Sequence, residues 1–230
     1  VSAEHSNMEY LDTADQSGHR YLHDEEVQVL AGQASVAGHL TIPENARGVV
    51  VFAHGSGSSR HSPRNRYVAE ILNAAGFGTL LFDLLTVDEE RNRANVFDIG
   101  LLASRLVGVT RWLADQPDTA ALPIGYFGAS TGAGAALTAA ADPRVRVKAI
   151  VSRGGRADLA GRALARVLAP TLLIVGGRDH AVIELNQRAR ALIPGRCELA
   201  IVPGAGHVFE EPGTLEQVAK LACEWFAEYL

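Results

Sequence analysis

From position 27 onward, short apolar runs alternate with stretches whose apolar residues recur every three to four positions. Residues 27–31 and 34–42 read as two strands turning at Gly32, a hairpin-like opening. Residues 49–53 (Val-Val-Val-Phe-Ala) are apolar throughout and mostly β-branched, the pattern of a strand covered on both faces. A helical pattern over 67–75 then stops at Gly76. The alternation continues with strands at 79–84, 122–127, 147–152, 171–175 and 198–202. Helical patterns at 96–114, 131–141, 159–168, 183–192 and 215–229 separate or follow them. Such alternation predicts an α/β architecture, a mostly parallel sheet of about eight strands with right-handed crossovers and helices on both faces. The hairpin adds antiparallel strands at one edge. Between residues 152 and 171 there is room for one short helix, which predicts that no cap domain is inserted there.

Composition narrows the picture further. The chain has 230 residues, 47% hydrophobic and 20% charged, enough apolar material for one substantial core. No linker or internal repeat divides it, so residues 27–230 are expected to form a single domain. Residues 1–26 carry Glu4, Glu9, Asp12, Asp15 and Asp24 without an apolar run, and read as a polar leader. The formal charge of −5 repels phosphate backbones, which argues against nucleic acid as a partner. No stretch reaches the ~18 apolar residues of a membrane span. Cys197 and Cys223 match no metal or redox spacing and suit free thiols in a reducing compartment, with the cytoplasm as the default expectation.

The chemistry starts at Gly128-Ala129-Ser130-Thr131-Gly132, which fits G-x-S-x-G. The motif follows an apolar strand and opens an Ala-rich helix, the setting a nucleophile elbow requires. There a strained turn lifts the serine hydroxyl above the sheet, and small flanking residues let strand and helix approach. The alternative is a tight turn with Ser130 as an ordinary helix cap.

A serine hydroxyl is a weak nucleophile until a base takes its proton, so a histidine and an orienting carboxylate are needed. The strand ending at 175 runs into Gly176-Gly177-Arg178-Asp179, and that ending at 202 into Pro203-Gly204-Ala205-Gly206-His207. Asp179 and His207 thus follow the serine in the order this elbow demands, each past the carboxyl end of a strand. His180 is the rival base, and Asp83, Glu210 and Glu211 are the rival acids, with Glu210 and Glu211 readable as a solvated pair leading a helix. Two backbone donors are needed for an oxyanion. Thr131 N–H is one candidate; Ser56 N–H, in the loop His54-Gly55-Ser56-Gly57-Ser58-Ser59, is the other. That loop lacks G-x-x-x-x-G-K-[ST] and is no phosphate loop. His54 is expected to fix the loop by hydrogen bonding.

The elbow G-A-S-T-G, the loop H-G-S-G-S-S-R and the ends G-G-R-D and G-A-G-H resemble α/β-hydrolases, in particular the dienelactone hydrolase-like branch, over roughly residues 27–230. The resemblance implies the α/β-hydrolase fold and ester hydrolysis by Ser130, Asp179 and His207, without metal or organic cofactor. One departure is plain: the enzyme that names the branch uses a cysteine nucleophile, and this chain has serine. The family therefore does not carry dienelactone over as the substrate. A site without a lid favours small, soluble carboxylic esters. Arg60 and Arg64 lie beside the oxyanion loop and could bind a substrate carboxylate, or could pair with acidic residues 88–90 to staple two loops. Acyl transfer to another acceptor, thioester or amide cleavage, and a non-catalytic binding role on the same fold stay open.

Overall fold

The computed structural model describes residues 20–230. Eight strands form one sheet in the order β1-β2-β4-β3-β5-β6-β7-β8. They are β1 (Tyr21–Ala31), β2 (Ala34–Pro43), β3 (Val49–Ala53), β4 (Gly78–Phe82), β5 (Ile124–Ala129), β6 (Val147–Arg153), β7 (Thr171–Gly176) and β8 (Cys197–Val202). β1 pairs antiparallel with β2 and β2 antiparallel with β4; all other pairings are parallel. This is the mostly parallel α/β sheet that the sequence pattern predicts, and the α/β-hydrolase fold that the resemblance implies.

Why the central strands read as unbroken apolar runs is visible in β3. Val49, Val51 and Ala53 join the core on one face, and Val50 and Phe52 join the core on the other. Helices α3 (Ile99–Ala114), α4 (Thr131–Ala140) and α5 (His180–Leu192) cover the first face. Helices α1 (Pro63–Ala74) and α6 (Thr214–Tyr229) cover the second. Both faces are packed under helices, which is why β3 is apolar at every position.

Two expectations at the edges change. The hairpin opens at Tyr21 rather than at residue 27, so the polar leader does not extend to residue 26; its residues 1–19 lie outside the described part. Residues 21–26 form an edge strand held by backbone pairing to β2 rather than by burial, and its polar side chains are served across the pair. His39 bonds Asp24 at 2.8 Å and Glu26 at 2.9 Å. An edge strand needs no apolar period, so hydropathy alone cannot see it. The second change lies before α3. The chain makes a short helix α2 (Val87–Glu90) and a 3-10 turn (Asn95–Phe97), and α3 begins only at Ile99, where Asp98 caps it through Leu101 N–H. Between β6 and β7 stands only a 3-10 segment, Ala157–Arg166, kinked at Gly161, with no cap domain.

Candidate active site

The site lies at the carboxyl ends of the parallel strands. β5 passes into α4 at Ser130, whose backbone sits at φ 50° and ψ −121°, a region that costs a non-glycine residue ~1–3 kcal/mol. Three backbone hydrogen bonds hold it there. Ser130 N–H donates to Arg153 O at 3.3 Å, and Ser130 O accepts from Ala133 N–H at 3.1 Å and Arg156 N–H at 2.9 Å. The flanking glycines are steric necessities. A Cβ on Gly128 would lie 2.5 Å from Ala133 Cα, and one on Gly132 2.1 Å from Ala53 O.

Three loops bring the expected side chains together. His207 Nδ1 lies 2.6 Å from Asp179 Oδ2, and His207 Nε2 lies 3.4 Å from Ser130 Oγ. Asp179 stands where β7 turns into α5, directly before its first residue. His207 is exposed on the loop after β8. The rival groups are elsewhere engaged. Asp83 accepts from Arg60 N–H at 2.8 Å and from the Arg60 guanidinium at 2.5 Å. His180 is an exposed residue of α5's first turn.

Glu211 corrects the picture of a solvated acidic pair. Both its carboxylate oxygens accept Gly206 N–H at 3.0 Å, which braces the loop one residue before His207. That bond and the other backbone donors around it, with Arg178 at 3.9 Å, hold the Glu211 carboxyl below its usual range. Nothing in a Glu-Glu pair signals such a bracing role, because the contact spans a turn rather than a periodic element.

The loop of residues 54–59, expected to supply an oxyanion donor, is fixed from beneath. His54 is buried; Leu84 N–H donates to its Nε2 at 3.1 Å, and its Nδ1 lies 3.0 Å from Gly55 O. Nε2 therefore accepts and Nδ1 donates, a neutral tautomer, and burial depresses its pKa. Ser56 N–H, an expected oxyanion donor, is already spent on Thr131 Oγ1 at 2.8 Å. Thr131 N–H, at the first residue of α4, lies outside the helix's own hydrogen-bond ladder. A cavity of about 550 Å³ opens beside these donors, lined by Ser56, Ser58, Leu84, Leu85, Val96 and Thr131. A larger cavity of about 810 Å³, between the hairpin and α1, holds none of Ser130, Asp179 or His207.

The arginines behave differently from expectation. Arg60 pairs with Asp83 and, at 3.3 Å, with Glu26, so it is neither a free carboxylate receptor nor a staple to residues 88–90. Asp88 instead meets Arg91, and Glu89 is gripped by the buried Arg105 at 2.6 and 2.7 Å. Arg64 has no ion-pair partner among the described residues, and its buried Nε is unbonded. The two cysteines are free thiols, and burial pushes Cys197 up to about 11, far from a thiolate nucleophile at neutral pH.

This fold, with its strained elbow, defines an α/β-hydrolase-fold protein. The chain belongs to the dienelactone hydrolase family, whose model matches residues 36–230. It is 77% identical over 209 residues to a protein of Mycobacterium tuberculosis (strain CDC 1551 / Oshkosh) named "Putative phosphoribosyl transferase". That match covers 91% of this chain but 47% of the relative, so the chain spans about half the length of the curated relatives it matches. Among solved structures, dienelactone hydrolase from Anabaena variabilis superposes with a TM-score of 0.88 at 59% identity, covering 90% of this chain and 98% of that one. Est1E from Butyrivibrio proteoclasticus, at 17% identity, shares the fold with a TM-score of 0.76, covering 88% of this chain and 98% of that one.

Proposed function

We propose that this chain is a serine hydrolase that cleaves small carboxylic esters through an acyl-enzyme. The observation that carries the reading is the Asp179–His207–Ser130 relay, at 2.6 and 3.4 Å, on a strained elbow. His207 Nε2 takes the Ser130 proton as Oγ attacks the ester carbonyl. Asp179 holds Nδ1–H, fixes the tautomer and stabilises the imidazolium. The longer 3.4 Å contact suits a site without substrate, since such bonds tighten when the complex forms. The tetrahedral oxyanion is held by Thr131 N–H and by Ser56 N–H, the latter released when the Thr131 hydroxyl turns aside. His207 then gives its proton to the leaving alcohol, and a water molecule, activated by the same imidazole, hydrolyses the acyl-enzyme.

Family membership and the exposed His207 support small, soluble esters. Phosphoribosyl transfer is not proposed: the relatives so named carry as much chain again outside the matched half. The test is intact mass after a fluorophosphonate, in the wild type and in Ser130→Ala. One adduct in the wild type and none in the variant is the expected result. A folded wild type that takes no adduct would remove the reading in favour of a binding protein on this fold.

A further inference from the structure

One charged cluster beside the elbow has no counterion among the described residues. Arg153 ends β6 opposite Ala129, and its carbonyl accepts the Ser130 amide. Its side chain is only 7% exposed, and lies 6.0 Å over the Phe209 ring, two residues past His207. It donates once, to Asn65 Oδ1 at 3.2 Å, and its Nε is buried without a partner. Arg64 precedes Asn65 in the first turn of α1, is half-buried, and its Nε is likewise buried and unbonded.

On the adjoining loops Asp83 is committed to Arg60, Asp179 to His207 and Glu211 to Gly206 N–H, and the exposed Glu210 forms no ion pair with either arginine. The first turn of α1 holds no acidic residue, although a helix N-terminus favours negative charge and disfavours an arginine. Burial and the neighbouring Arg64 push Arg153 down to about 10, still protonated at neutral pH. Two like charges, one nearly buried, lie close together with no acidic partner among the described residues. Such an arrangement is costly unless something compensates it, and breaches of local rules of this kind collect at functional sites.

We propose that Arg64 and Arg153 bind a phosphate group carried by the ester substrate, with Asn65 orienting the Arg153 guanidinium. This assigns a substrate class to the site and rests on the hydrolase reading above. Charge counting selects phosphate over carboxylate: a dianion balances both guanidiniums, whereas a monoanion balances only one. Two guanidinium forks also match the several acceptor oxygens of a phosphate. The half-exposed Arg64 leaves the cluster a route to solvent at the same end of the sheet as His207. The phosphate stays intact; only the ester bond is broken.

Calorimetric titration with inorganic phosphate, and separately with acetate, tests this on the wild type, Ser130→Ala, Arg64→Gln, Arg153→Gln and the remote control Arg188→Gln. Phosphate should bind the wild type, Ser130→Ala and the control alike, at one site and more tightly than acetate. Arg64→Gln should weaken it at least about tenfold, as expected when a charge-assisted hydrogen bond is lost. Arg64→Gln decides the matter if the nearly buried Arg153→Gln fails to fold. Unchanged phosphate affinity in Arg64→Gln, or no saturable binding in the wild type, overturns the proposal; acetate binding as tightly overturns the choice of phosphate. Arg64-dependent phosphate binding in a protein that takes no fluorophosphonate keeps the anion site and sinks the hydrolase reading. Ester turnover without Arg64-dependent binding does the reverse.

Discussion

Gly132→Ala tests the link between packing and chemistry at the elbow. The added Cβ would stand 2.1 Å from Ala53 O and 2.5 Å from His54 O. Both neighbours are backbone atoms of β3 and the oxyanion loop, so no rotamer change relieves the clash. Restoring ordinary contact of ~3.2 Å requires the start of α4 to retreat by roughly 1 Å. Overpacking of this kind costs ~1–3 kcal/mol, and alanine returns up to ~1 kcal/mol over glycine in a helix. A net loss of ~1–2 kcal/mol lowers Tm by about 2–8 °C in a domain of this size. The larger effect is catalytic. Moving Ser130 and Thr131 N–H by ~1 Å should cut kcat/KM by about 10²-fold. Thermal unfolding followed by circular dichroism gives the first number, and hydrolysis of p-nitrophenyl acetate with the rate of fluorophosphonate labelling gives the second. A variant with unchanged Tm and labelling rate would refute the argument that close approach of α4 to the oxyanion loop builds the site.

Further outcomes follow from the same geometry. Asp179→Asn should keep the fold and lower kcat by about 10⁴-fold, as in a serine triad whose histidine is left in the wrong tautomer; a loss under tenfold would assign the orienting role elsewhere. Thr131→Ala frees Ser56 N–H while keeping both amides, so kcat should stay within about threefold of wild type. A loss of ~10²-fold would make the threonine hydroxyl itself the oxyanion donor. His54 is held neutral by burial, with a folded pKa below the 6.5 of an exposed histidine, so the unfolded chain binds more protons. Its contribution is complete above pH 6.5 and is lost as pH falls towards the folded pKa. Urea midpoints at pH 7.5 and 5.5 should therefore differ less in His54→Gln than in the wild type. Glu89→Ala strands the buried Arg105 and should destabilise by ~1–3 kcal/mol, read as a lower urea midpoint.

The proposed catalytic arrangement shows how local pattern and global topology divide the work. An elbow is a local object: a strand, five residues and a helix, with glycines where backbones touch. Its sequence signature is therefore complete, and the strand-end positions of Asp179 and His207 follow from counting elements. The opening hairpin is legible only in part. β1 is visible from residue 27, where Val29 and Ala31 turn inward, but not over its exposed polar half.

The alternation of about eight strands with helices, and the places of Ser130, Asp179 and His207 just past strand ends, are legible in the sequence itself, because apolar period and turn chemistry act within a few residues; the order of the strands in the sheet is not. Only the tertiary structure decided which charges meet. The sequence offers Arg60 residues 88–90 as partners; the fold gives it Asp83, the first residue past β4. Glu211 braces the His207 loop, Thr131 Oγ1 occupies the Ser56 amide, and Arg153 reaches Asn65 across 88 residues of sequence. Long polar side chains reach across loops from elements distant in sequence. Their partners are set by where strands end in space, and no periodicity along the chain encodes that.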